Sequence, residues 1–201
     1  QRGLEAQAAD VADEVAYMNH DLDDGLRSGI FDFDVLSALP VWKEATREVA
    51  DRLAGASASI RRAQTIVTLI NTLVSDLIEA GLGRIDAAGL DSPEAIRSQP
   101  DPVLAFSPGM EASRRELKRF LSENFYRHPR VLHMTRKAER IVEDLFRVYS
   151  EDTALLPENV QTRFALEGEA RAIADYVAGM TDRFAMSEHR KLFDPHEPIG
   201  V

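Results

Sequence analysis

The chain has 201 residues, 44% of them hydrophobic and 29% charged, enough to bury a sizeable core as one domain of ordinary globular composition. It has no cysteine, which excludes a disulfide framework, a thiolate metal site and a thiol nucleophile and fits a reducing, cytoplasmic setting. A formal net charge of −10 argues against nucleic-acid binding by the chain as a whole. No run of about 18 apolar residues predicts a membrane span, and the first residues lack the basic and apolar regions of a signal peptide.

The sequence opens at Gln1-Arg2-Gly3, without an initiator methionine, and enters a helix at once, so we expect a fragment of a longer protein. That first helix is predicted over Leu4 to Phe31. At about 100° per residue, Val11, Val15, Met18, Leu22 and Leu26 share an apolar face. Asp10, Asp13, Tyr17, His20, Asp21 and Asp24 gather opposite. Between Leu4 and Ser28 there are seven acids and a single base, Arg27, where surface helices usually interleave cations one turn away. A solvated surface explains such a stripe. A wall holding a divalent cation at one end and a polar ligand along the rest explains it too, because Asp13-x3-Tyr17-x3-Asp21 sets a carboxylate, a phenol and a second carboxylate in a row.

Further along, a turn and short helix are expected around Phe31–Asp34, then a helix from Pro40 to about Leu53. Ser57 or Ser59 can cap the next, from about Ile60 to Ala80. Its apolar residues run nearly all round (Ile66, Val67, Leu69, Ile70, Leu73, Val74, Leu77, Ile78), so it is expected at the buried centre of a bundle. Residues 81–108 are punctuated by Gly81, Gly83, Gly89, Pro93, Pro100, Pro102 and Pro108 and predict a long irregular connection, extended near Val103–Phe106. Helices resume at about Glu111–Tyr126 and Pro129–Tyr149, with a short one near Pro157–Leu166 and a final one from Glu167 to about Phe184. Residues 188–201 read as a loose tail. The fold class is all-α, a helical bundle, organised as one region over 1–201.

Within 109–150 the sign of the charge reverses. Arg114 to Arg140 carries nine Lys or Arg against three acids, a local charge of +6. A basic helical hairpin with Tyr126, Arg127 and His128 at its corner could grip phosphates. It could equally pair with the acidic first helix. Together, an acidic metal-capable wall and a basic hairpin are complementary halves of a site for a metal-bound polyphosphate, with Tyr17 and Tyr126 available to flank a base or sugar.

ADEVAYMNHDLDDGLRSGIF, from Ala12 to Phe31, resembles a signature of the deoxyguanosine triphosphate triphosphohydrolase (dGTPase) family, a branch of the HD-domain metal-dependent phosphohydrolases. LKRFLSENFYRHPRV (Leu117 to Val131) and TDRFAMSEHRKLFD (Thr181 to Asp194) are similar to later segments of that family, in the same order. The resemblance covers essentially the whole chain but only the C-terminal half of the family. It implies an α-helical fold and cleavage of a deoxynucleoside triphosphate by water into deoxynucleoside and triphosphate. It also implies roles for particular residues. Asp13 would be the last ligand of the metal, Mg²⁺ or Mn²⁺; Tyr17 and Asp21 would line the deoxyribose; Lys118 would meet the triphosphate; Tyr126 would sit near the sugar or base, with Arg127 beside it.

The family's metal-binding His, its His-Asp pair and its catalytic His lie upstream of the signature and have no counterpart here, so no catalytic residue is assigned in this chain. His20-Asp21 spells the pair but falls inside the later signature. One carboxylate cannot hold a divalent ion tightly, since Mg²⁺ takes about six ligands. The expectation is therefore an inactive C-terminal portion of a metal-dependent enzyme, partnered by its N-terminal half, by deoxynucleoside triphosphate and, as is common in the family, by further copies of itself. The alternatives are a non-catalytic helical module binding nucleotide or single-stranded nucleic acid, and a structural or oligomerisation domain.

Overall fold

A computed structural model describes residues 1–197, and among these the regular elements are all helical. Residues 198–201 of the expected tail lie outside the described residues. Two compact units divide at the 128/129 peptide bond. That boundary falls inside the stretch expected to form one hairpin, so each unit is described by itself.

In the first unit α1 (Leu4–Arg27), α2 (Phe33–Leu36), α3 (Pro40–Arg52), α4 (Ala58–Ala88), α5 (Pro93–Arg97) and α6 (Pro108–Leu121) enclose one core, and α6 runs on into a π-helical turn at Ser122–Tyr126. Helix α1 buries Val15, Met18 and Leu22 against α4 and α6, while α3 packs Val41, Trp42, Ala45 and Val49 against the other side of α4. The starts are those that capping chemistry favours: the Ser57 and Ser107 hydroxyls accept from the Ile60 and Met110 amides, and Pro40 and Pro108 occupy first turns.

Two expectations fail here. First, α4 does not stop near Ala80 but continues through Gly81 and Gly83 to Ala88, where Gly89 closes it at φ +59°. Gly81 marks a close approach and not a break. A Cβ there would sit 2.6 Å from the Leu104 side chain, so the missing carbon lets the extended segment lie on the helix. Second, α4 is not buried all round. Ile66, Leu69, Leu73 and Leu77 face the core, while Val67, Val74 and Ile78 are exposed. At 31 residues α4 is also long and apolar enough to cross a membrane by length and composition, although its core-facing row is packed against α1 and α3.

The expected irregular stretch is thus shorter, interrupted by α5, and held in an unusual way. An extended backbone needs partners for its amides and carbonyls, and here side chains supply them. Gln7 Oε1 accepts from the Val103 and Leu104 amides at 2.8 and 3.0 Å. Arg84 donates to the carbonyls of Val103, Ala105 and Phe106. Asp76 accepts from the amide and hydroxyl of Ser107 at 2.9 and 2.6 Å.

In the second unit α7 (Pro129–Glu151) is followed by a 3-10 turn (Thr153–Leu155), α8 (Glu158–Gln161), α9 (Phe164–Glu167), α10 (Glu169–Ala178) and α11 (Asp182–Phe193). Ile141, Leu145 and Tyr149, one turn apart on α7, pack with Ala172, Ile173 and Val177 of α10. The single final helix of the sequence reading is two, because the chain breaks at Gly179-Met180 and restarts where the Thr181 hydroxyl caps Phe184. Residues 188–193, expected in the tail, belong to α11. His189 Nε2 lies 3.1 Å from Asp144 Oδ2, and the imidazole stacks on Phe193.

Replacing Gln7 by Leu leaves the buried Val103 amide and the part-buried Leu104 amide without this acceptor, the first worth about 1–3 kcal/mol. Urea denaturation should show the Gln7→Leu variant destabilised by about 2 kcal/mol or more. An unchanged midpoint would mean that Gln7 does not hold the extended segment.

Candidate functional site

Burying Val15, Met18 and Leu22 fixes the rotation of α1, and the carboxylates follow from that rotation. Asp13 and Tyr17 come out exposed, Tyr17 at 61%, and Asp21 is half-buried. The aromatic residue that meets Asp21 arrives from far along the chain. The π turn carries Tyr126 back onto α1, where its hydroxyl donates to Asp21 Oδ2. The turn is positioned by a cluster of rings: Phe31 meets Phe120 and Phe125 edge-on at 5.1 and 6.2 Å, and Phe125 meets Tyr126 at 5.7 Å. Insertions of this kind often mark functional positions in helices.

Electrostatics agree with the geometry. Burial raises the Asp21 carboxyl above the ordinary aspartate value; the Tyr126 hydrogen bond opposes that shift and neighbouring Asp24 adds to it. The Tyr126 phenol is pushed far upward, first by burial, then by the hydrogen bond and charge of Asp21 and by the Tyr17 phenol. Tyr17, Asp21 and Tyr126 therefore form one small polar cluster with a protonated phenol at its centre.

A second group lies one turn back on α1. Glu14, which was not singled out in the sequence, receives Arg114 and also Lys118, whose Nζ is 2.7 Å away; Arg114 in turn holds Glu111 at 2.8 Å. Lys118 is about half exposed, and burial and the neighbouring Arg114 lower its pKa. The basic segment thus does pair with the acidic helix, at Glu14. Other stripe acids are answered elsewhere: Asp10 by Arg2, and Asp23 by Arg27 at 3.4 Å and Arg62 at 3.1 Å. Asp13 has no ion-pair partner among the described residues. Arg127 is exposed just beyond the π turn.

Of the six residues singled out, the structure brings Tyr17, Asp21 and Tyr126 together, sets Lys118 of α6 beside Glu14 of α1, and leaves Asp13 and Arg127 exposed. A divalent ion needs more than Asp13 offers. Among the described residues no group of three or more His, Asp or Glu is placed to hold a metal. The described residues do not by themselves fit a catalytic metal.

Comparison with known proteins bears on the same question. Residues 104–191 match the model of a phosphohydrolase-associated domain. Over 193 residues, 96% of the chain, the sequence is 47% identical to a deoxyguanosinetriphosphate triphosphohydrolase-like protein of Ralstonia nicotianae. Proteins of the same name from Geobacter metallireducens and Thiobacillus denitrificans are 41% and 42% identical over 98% of it. The chain is thus similar, over nearly its whole length, to deoxyguanosinetriphosphate triphosphohydrolase-like proteins. It spans about half the length of these relatives: 49%, 51% and 52%. The phosphohydrolase-associated match begins in the extended segment and ends in α11.

The Asp21 carboxyl sits above its unfolded value because burial disfavours the charge. Its contribution to stability is present below the unfolded pKa and is lost as pH rises through the folded one. The Asp21→Asn variant, whose amide oxygen can still accept from Tyr126, should melt no lower than the parent at pH 7 and lose that part of the pH dependence above pH 4. A clear drop in melting temperature at pH 7 would mean that the charge itself holds α1 to the π turn.

Proposed function

We propose that this chain is the substrate-side wall of a dNTP triphosphohydrolase, the C-terminal portion of a metal-dependent enzyme that converts dNTP and water to deoxynucleoside and triphosphate. The observation that carries the reading is the joining of Asp21, Tyr126 and Tyr17 in one cluster on the face of α1 that also presents Asp13. Asp21 keeps acceptor capacity on a carboxylate already aligned by Tyr126, which suits a sugar hydroxyl. Tyr17 offers an exposed ring that can lie against a deoxyribose and leave no room for a 2′-hydroxyl. Lys118 can exchange Glu14 for a phosphate oxygen, and Arg127 stands exposed after the turn as a second cation. A divalent metal, Mg²⁺ or Mn²⁺, would touch this chain at Asp13 only. Its remaining ligands belong to the portion of the relatives that this chain does not match, and the chain alone is inactive. A cytoplasmic setting, a homo-oligomer and the absence of a membrane partner complete the reading.

A non-catalytic helical module that binds nucleotide or single-stranded nucleic acid is the competing reading. Its affinity would fall steeply with salt. The fixed Tyr17–Asp21–Tyr126 cluster favours a defined small ligand instead.

In the complete enzyme the Tyr17→Ala variant should lose discrimination between deoxyribonucleoside and ribonucleoside triphosphates, read as the ratio of kcat/KM for dGTP and GTP. Unchanged selectivity would remove Tyr17 from the sugar site. Asp13→Ala should abolish turnover and weaken metal binding; full activity in that variant would overturn the placement of Asp13.

A further inference from the structure

The first unit contains a larger cavity that the proposed site does not use. It is a groove of about 730 Å³ between α1 and α4. One wall is Ala8, Ala12 and Ala16, successive turns of α1, and the other is Ile70, Val74 and Ile78 of α4. Small residues on one helix let another backbone come close, and the aliphatic row opposite supplies contact area. Val74 and Ile78 are 38% and 52% exposed, although the sequence places them on a helix apolar nearly all round. The groove is not merely apolar. Asn19 lines it and is 1% exposed; its Nδ2 donates to the Val15 carbonyl at 2.8 Å, while its Oδ1 has no hydrogen-bond partner among the described residues. Buried carbonyl oxygens are rarely left in that state. An occupant must therefore offer an apolar face and a hydrogen-bond donor together.

We infer that the groove is the seat of a helix from the polypeptide that the relatives carry outside the matched half. This rests on the reading of the chain as part of a longer phosphohydrolase. The curated relatives are about twice as long as the stretch they share with this chain, so a covalently linked occupant is at hand. That helix lays apolar residues at three- and four-residue spacing against Ala12, Ala16, Ile70 and Val74, and turns one donor toward Asn19 Oδ1. The Arg62–Asp23 ion pair at 3.1 Å borders one end of the groove. Seating this helix shields the apolar side of α1 and leaves the Asp13–Tyr17–Asp21 face open to substrate. The groove is thus where one half of the enzyme is registered on the other.

The chain has no cysteine, so labelling reads the surface directly. Val74→Cys and Ile78→Cys place thiols in the groove, and Val67→Cys, 46% exposed on α4 but outside the groove lining, is the control. Each is measured by maleimide labelling resolved by mass spectrometry, in the 201-residue chain and in the same chain fused behind the unmatched portion of the Ralstonia nicotianae relative. In the chain alone all three should react freely. In the fusion, labelling at positions 74 and 78 should slow by roughly tenfold or more while position 67 is unchanged. Equal rates in both proteins would overturn the proposal. So would protection already present in the chain alone together with a dimer in sedimentation, which would give the groove to a second copy. As a second measurement, Asn19→Leu should raise the melting temperature of the chain alone and lower that of the fusion; a rise in both would remove the donor. Triphosphate release from dGTP is followed in the same fusion. Protection without turnover sinks the enzymatic reading and keeps the groove assigned, and turnover without protection does the reverse.

Discussion

The structure depends on how α1 is clamped between α4 and α6. Val15, Met18 and Leu22 can be buried in only one rotation of the helix, and that rotation sends Glu14 to the cations of α6, Asp21 to Tyr126, and Asp13 to the exterior. Hydrophobic burial is non-directional, but along a helix it becomes directional, because moving one residue turns every side chain by about 100°. The polar chemistry of the first unit follows from the apolar chemistry beneath it.

Much of this is legible in the sequence because it is periodic. The two faces of α1, the cap at Ser57 and the corner before Pro129 all come from local rules. What escapes is non-local. Gly81 reads as a helix end, since nothing near it shows that Leu104 will lie 2.6 Å from its missing Cβ. The exposure of Val74 and Ile78 escapes for the same reason: an apolar all-round helix predicts burial, and burial depends on which neighbours are present. The break at Gly179-Met180 is hidden by apolar residues that continue the pattern across it.

The site is legible to a similar depth. The Asp13–Tyr17–Asp21 row follows from spacing, and the basic segment from charge, but not which acid answers which base. Arg114 lies a hundred residues from Glu14 in the chain, and only packing of α6 on α1 selects that acid over Asp10 or Asp13. The direct hydrogen bond from Tyr126 to Asp21 is likewise a product of the π turn. Asp13 lies exposed on α1, where the rotation of the helix places it.

In the proposed function α1 and the π turn are one wall of a nucleotide site, completed by polypeptide that the relatives carry elsewhere. The chain has four tyrosines, two of them (Tyr17 and Tyr126) in the proposed site and two (Tyr149 and Tyr176) in the core of the second unit. Fluorine NMR of the complete protein labelled with fluorotyrosine and titrated with dGTP reads both pairs at once. The account predicts that the Tyr17 and Tyr126 resonances shift with a common saturation curve, more for dGTP than for GTP, while Tyr149 and Tyr176 stay in place. Shifts confined to Tyr149 and Tyr176, or none at Tyr17 and Tyr126 under saturating nucleotide, would contradict it.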